Sequence, residues 1–91
     1  MTTVFQAMKR VSVIDESLMA TSPGDCCLYI HLALPFISFS LMDRKRNKFI
    51  ALCEYRLPDE NTMEEFDALF QQDEILAAKG YYKAIVSFVS Q

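Results

Sequence analysis

Between residues 26 and 57, apolar and polar side chains alternate in three runs separated by turn signals, and this pattern constrains the chain more than any other feature. Leu28, Ile30, Leu32 and Leu34 fall on one face of an extended segment, with Cys27, Tyr29, His31 and Ala33 on the other. A period of two is that of a strand, whose successive Cβ atoms point to opposite faces. Leu34-Pro35 interrupts the run, because proline presets φ for a turn and lacks the N–H a ladder needs. Ile37, Phe39 and Leu41 against Ser38 and Ser40 give a second strand with one apolar and one polar face. Asp43-Arg44-Lys45-Arg46-Asn47 is a polar turn, and residues 49–57 form a third strand rich in types that favour extended backbone. The three runs read as an antiparallel meander.

The period then changes. After Leu57-Pro58-Asp59-Glu60-Asn61 comes Thr62-x-x-Glu65, a capping box in which hydroxyl and carboxylate each satisfy an orphan backbone N–H. Met63, Phe66, Leu69 and Phe70 share one helical stripe, wide enough to cover a sheet face. Residues 73–79 extend it by a capped turn or two, and Gly80 stands where a left-handed residue is wanted. The last segment, 81–89, contains Ala84-Ile85-Val86, apolar on both faces like a strand buried in a parallel pairing. Of Tyr81 and Tyr82, which open it, one ring is expected in the core and the other at its rim. The predicted order is β-β-β-α-β: an α/β chain, α+β by its short length, with a mixed sheet. A crossover through the helix brings the last strand in parallel beside the first. Leu28, Ile30, Ile37, Phe39, Phe49, Phe66, Leu69, Phe70, Ile85 and Val86 are the expected core.

Residues 1–25 lack a sustained period and end in the turn-forming Thr21-Ser22-Pro23-Gly24-Asp25, so they read as an arm, partly ordered at best, before a single domain at 26–91. Arg10 to Ile14 alternates weakly, as a short strand would, and Thr2 to Met8 has half a helical stripe; periodicity leaves both open. The apolar stretch 26–42 is broken by His31, Pro35, Ser38 and Ser40, too often for a spanning helix, and Asp15 and Glu16 interrupt any signal-peptide core. A cytoplasmic protein with no membrane partner is expected. Three cysteines without a CxxC suggest buried thiols rather than disulfides or a zinc knuckle. The net charge of −3 gives no global field for nucleic acid.

The runs Leu28-Tyr29-Ile30-His31-Leu32 and Ile37-Ser38-Phe39-Ser40-Leu41, then Asp43, Asn47-Lys48-Phe49-Ile50-Ala51-Leu52 and Glu54-Tyr55, carry a resemblance. From about Arg10 to Gln91 the sequence resembles the N-terminal part of a bacterial family catalogued as domain of unknown function 3822, whose members look like actin-like ATPases of the ribonuclease H-like fold. The resemblance implies the first part of such a lobe, probed by two sites. In actin-like ATPases the first hairpin is a phosphate loop with a carboxylate and a glycine; here it reads Ala33-Leu34-Pro35-Phe36, with neither. Ribonuclease H-like nucleases place a metal-binding carboxylate within strand one, where this chain has no carboxylate and His31 is the one side chain of that strand that ordinarily titrates near neutral pH.

The other candidate residues read as structural. Arg44, Lys45, Arg46 and Lys48 crowd one turn without interleaved aromatics, as a solvated turn would. Glu64, Glu65 and Asp67 favour a helix N-terminus. Cys26 or Cys27 with His31 and Cys53 matches no metal-ligand spacing. No catalytic, cofactor-binding or metal residue is therefore assigned, and no cofactor. The expected function is a non-catalytic scaffold or partner-binding lobe, meeting a protein partner or a second copy through an uncovered sheet face. The alternative is a fragment of a nucleotide-binding ATPase or nuclease whose catalytic residues lie in a further C-terminal lobe.

Overall fold

The alternating runs become one sheet. The computed structural model describes the backbone of residues 8–58 and 62–89 and the side chains of 11–58 and 63–89. β1 (Met8–Ile14) precedes two short 3-10 turns, Glu16–Ala20 and Pro23–Asp25. β2 (Cys26–Ala33), β3 (Phe36–Asp43) and β4 (Lys48–Arg56) form the antiparallel meander. Then come α1 (Thr62–Gln72), the single turn α2 (Glu74–Ala77) and β5 (Lys83–Phe88), which runs parallel to β2 as the crossover requires. The spatial order is β1-β4-β3-β2-β5.

The turns follow from side-chain chemistry. At the β3–β4 hairpin, Asp43 is 3% exposed, and its Oδ1 accepts the backbone N–H of Lys45 at 2.9 Å and of Arg46 at 3.4 Å. Asn47 closes the reversal at φ 55°, a left-handed conformation that asparagine tolerates. Asp15 caps the first 3-10 turn by accepting from Ser17 N–H at 2.8 Å, while its own N–H donates to the Ile50 carbonyl at 2.9 Å. The helix begins at Thr62 as the capping box places it; the Thr62 side chain on which that box rests lies outside the described residues.

The arm contributes a strand. β1 pairs antiparallel with β4, with a bulge between Lys9 and Val11, so five strands stand where the meander and crossover alone predict four. The weak alternation of residues 10–14 is thus resolved by β4, whose free edge it pairs. Of the half-helix expected at residues 2–8, residues 1–7 lie outside the described residues and Met8 opens β1.

Paired residues share a face, so the register gives rows across the sheet. On the helix side, Ser12, Cys53, Phe39, Ile30 and Val86 form one row; Ile14, Ala51, Leu41, Leu28 and Ala84 form the next. Leu69 of α1, Ile75 and Leu76 of α2, and Leu57 cover the centre of this face, with Leu18, Phe66, Phe70 and Tyr81 packed around them. Leu28, Ile30, Ile37, Phe39 and Leu69 are buried as expected, whereas Phe66 and Phe70, 4.8 Å apart between ring centres, are half-buried.

Three expected core residues are not in the core: Phe49 is 61%, Val86 49% and Ile85 43% exposed. Phe49 and Ile85 lie on the face opposite the helices, and Val86 sits on an edge strand exposed at every residue. An apolar run is buried on both faces only when both layers and both flanking strands are present. Leu34 likewise leaves the face it would share in an extended strand, because the turn at Pro35 takes it to solvent.

Candidate functional site

The hairpin where the resemblance places a phosphate loop joins β2 to β3 through Leu34 and a cis Leu34-Pro35 peptide. The Pro35 carbonyl accepts the N–H of Leu57 at 2.7 Å, tying the turn to the end of β4. His31 lies near it, exposed, with Nδ1 3.0 Å from Ser87 Oγ on β5. The four residues weighed as a metal cluster are split by the sheet. Cys26 and Cys53 line the helix side, whereas Cys27 and His31 belong to the opposite face, so they do not converge.

The basic turn has partners for each of its cations. Arg44 stacks 3.4 Å above the centre of the exposed Tyr82 ring, Lys45 meets Asp25 at 3.2 Å, Arg46 meets Asp43 at 3.6 Å and Lys48 meets Asp15 at 3.2 Å. Lys45–Asp25 and Lys48–Asp15 are ordinary surface pairs, each weak alone, but together they tie the hairpin to both 3-10 turns, whereas Arg46 meets the buried Asp43 within the hairpin itself. The Asp15 carboxyl is held down to about 2, first by its hydrogen bonds from Ser17 and then by Lys48.

A cavity of about 430 Å³ opens on the helix side, between the first 3-10 turn, α2 and the strands β3 and β4. Its apolar lining includes Leu18, Leu41 and Ile75. Its polar lining is organised around Asp73, the cap of α2: Oδ1 accepts the N–H groups of Ile75 and Leu76, and Oδ2 accepts the Tyr55 hydroxyl at 2.7 Å. Tyr81 donates its hydroxyl to the Ile75 carbonyl, and Cys26 donates its thiol to the Ser22 carbonyl at 3.5 Å. Burial, with nearby negative groups, pushes Tyr81 up to about 12; burial and the bond to Asp73 push Tyr55 higher still. Both phenols are therefore neutral donors across the ordinary pH range. Burial also raises the Cys26 thiol, aided by Asp43 and Asp25, which disfavours a reactive thiolate.

This cavity was not visible in the sequence. Residues 73–79 read as a capped turn, but nothing in the spacing pairs Asp73 with Tyr55, eighteen positions away. Its outer wall comes from residues 16–20, which have no period at all.

The opposite face carries no helix among the described residues. Val13, Leu52, Ser40, Tyr29 and Ile85 form a row across all five strands, and Phe49 packs its ring 6.1 Å from that of Tyr29. Beside it runs a more polar row, Val11, Glu54, Ser38, His31 and Ser87. Val13 is 62% and Leu52 48% exposed.

Over residues 15–91 the chain matches the family described as Protein of unknown function (DUF3822). The chain belongs to this family. No curated protein and no solved structure matches it. In this DUF3822 member the matched stretch begins at Asp15, the cap of the first 3-10 turn, and includes every strand except β1 and the cavity lining except Ile14. None of the described helices is long and apolar enough to cross a membrane.

Proposed function

We propose that this lobe acts by binding protein rather than by catalysis, docking its partner on the β5 edge and the adjoining uncovered face. One observation carries the reading: β5 has no charged residue after Lys83, each of its residues is exposed, and its only strand neighbour among the described residues is β2. Strand edges that face water are blunted by charges, bulges or prolines. The β1 edge follows that rule with its bulge, whereas β5 does not. An added strand would pair the free backbone groups of β5 and cover Val86 and Phe88 on one side and Ile85 on the other. Main-chain bonds supply affinity in such augmentation, and alternate side chains supply specificity.

The occupant is an extended protein segment with apolar alternation. A second copy offers one, since two antiparallel β5 strands place their Lys83 residues at opposite ends of the pair. We further read the lobe as a degenerate actin-like ATPase lobe of the ribonuclease H-like class. The order β4-β3-β2-β5, with an antiparallel meander and a parallel fourth strand after a helix, supports this. So does a hairpin built on Leu34-Pro35 where a phosphate loop would need glycine and a carboxylate. The free thiols of Cys26, Cys27 and Cys53 fit a reducing, cytoplasmic setting.

Light scattering and thermal melting at several concentrations test the docking edge. The expected result is a mass above that of the monomer and a Tm that rises with concentration, both abolished in Phe88→Lys, which places a charge on a residue 77% exposed. A monomer mass with a concentration-independent Tm at about 100 μM overturns it. Tight, magnesium-dependent ATP binding in calorimetry overturns the non-catalytic reading.

A further inference from the structure

The cavity beside α2 is distinct from the docking edge and its chemistry is one-sided. Thr21, Cys26, Tyr55 and Tyr81 all line it, and each donates its hydroxyl or thiol hydrogen to protein: Thr21 to the Ser17 carbonyl at 2.7 Å, Cys26 to Ser22, Tyr55 to Asp73, Tyr81 to Ile75. A hydroxyl whose hydrogen is committed keeps its lone pairs and presents only acceptors. Asp73 accepts two bonds at Oδ1 and one at Oδ2, which leaves Oδ2 an accepting position and the site a negative charge. Glu74 adds a second carboxylate, and no lysine, arginine or histidine among the described side chains lines the space. Gln72, exposed at the rim, brings the amide hydrogens. The remaining wall is apolar, and about 430 Å³ falls in the range of small-ligand pockets.

We propose that this cavity binds a small amphiphilic amine, its ammonium group received by Asp73 Oδ2 and the phenol oxygen of Tyr81, its apolar body against Leu18, Leu41 and Ile75. An ammonium brings three donors and a positive charge to a wall of acceptors, whereas a carboxylate ligand would bring more acceptors and a like charge. The raised phenol pKa values fit the geometry, because the tyrosines then stay protonated and bonded as described while an amine is charged.

Amide NMR titration of the full chain tests this with three probes of one shape: tryptamine, neutral 3-methylindole and indole-3-propionate. Tryptamine should shift the amides of Thr21, Ile75 and Leu76, and bind about tenfold or more tightly than indole-3-propionate. Asp73→Asn keeps the shape of the cap but loses the charge, and should remove the preference for tryptamine over 3-methylindole. Ala78→Trp, at a half-buried position of the lining, should fill the space and abolish all three shifts while the spectrum stays folded. Equal or stronger binding of the carboxylate overturns the proposal, as do shifts confined to the open face, tryptamine binding unchanged in Ala78→Trp, or no tryptamine shift at about 5 mM.

Discussion

One position along each strand separates two different environments. On the helix side, Cys53, Phe39 and Ile30 sit in adjacent strands at no more than 4% exposure; on the other, Leu52, Ser40 and Tyr29 range from half-buried to 48% exposed. Leu52 is as apolar as Ile30, so composition does not explain the difference. What differs is the layer above: α1, α2 and Leu57 fill one face, and no described helix reaches the other. Burial belongs to the stacking of layers, and an apolar side chain on an uncovered face records a contact that the isolated sheet does not make. The same contrast separates β3, which alternates buried and half-buried residues along its length, from β5, exposed throughout.

Substitutions can break that comparison. The largest effect is expected at Phe39, 2% exposed and stacked 6.1 Å from the Tyr55 ring: Phe39→Ala should cost about 3–5 kcal/mol in chemical denaturation, through lost transfer energy and the cavity left behind. A cost near that of an open-face substitution would mean the covered face is not the core. Asp73→Ala removes the cap of α2 and strands the Tyr55 hydroxyl, and should cost about 1–3 kcal/mol by the same measurement.

Alkaline titration sharpens the comparison from the side of the covered tyrosines. Tyr81 is raised to about 12 in the fold, so the unfolded chain, with its phenols near 10, loses protons first and stability falls as pH rises from 10 towards 12. Melts across that window check it, and Tyr81→Phe should flatten the fall. Leu52→Ser is the smallest expected effect, within about 0.5 kcal/mol, because the residue is already half in water. A large loss in Leu52→Ser that grows with protein concentration would show the open face covered by a second copy.

The meander, its two turns, the helix start and the parallel return of the last strand were legible in residues 26–88, because strand and helix periods and turn chemistry are local properties. The structure gives His31 and each cation of the basic turn a partner, and those partners come from segments that no local pattern joins to them in three of the five cases, Ser87, Tyr82 and Asp15. Other features depended on contacts between distant segments. The chain by itself did not say that residues 8–14 would join β4, since a weakly alternating segment becomes a strand only where a free edge receives it. Nor did it say that Asp73 and Tyr55 would meet, or that Phe49, Ile85 and Val86 would face solvent. Hydrophobic pattern determines which side chains share a face; whether that face is dry is decided by what tertiary structure stacks upon it.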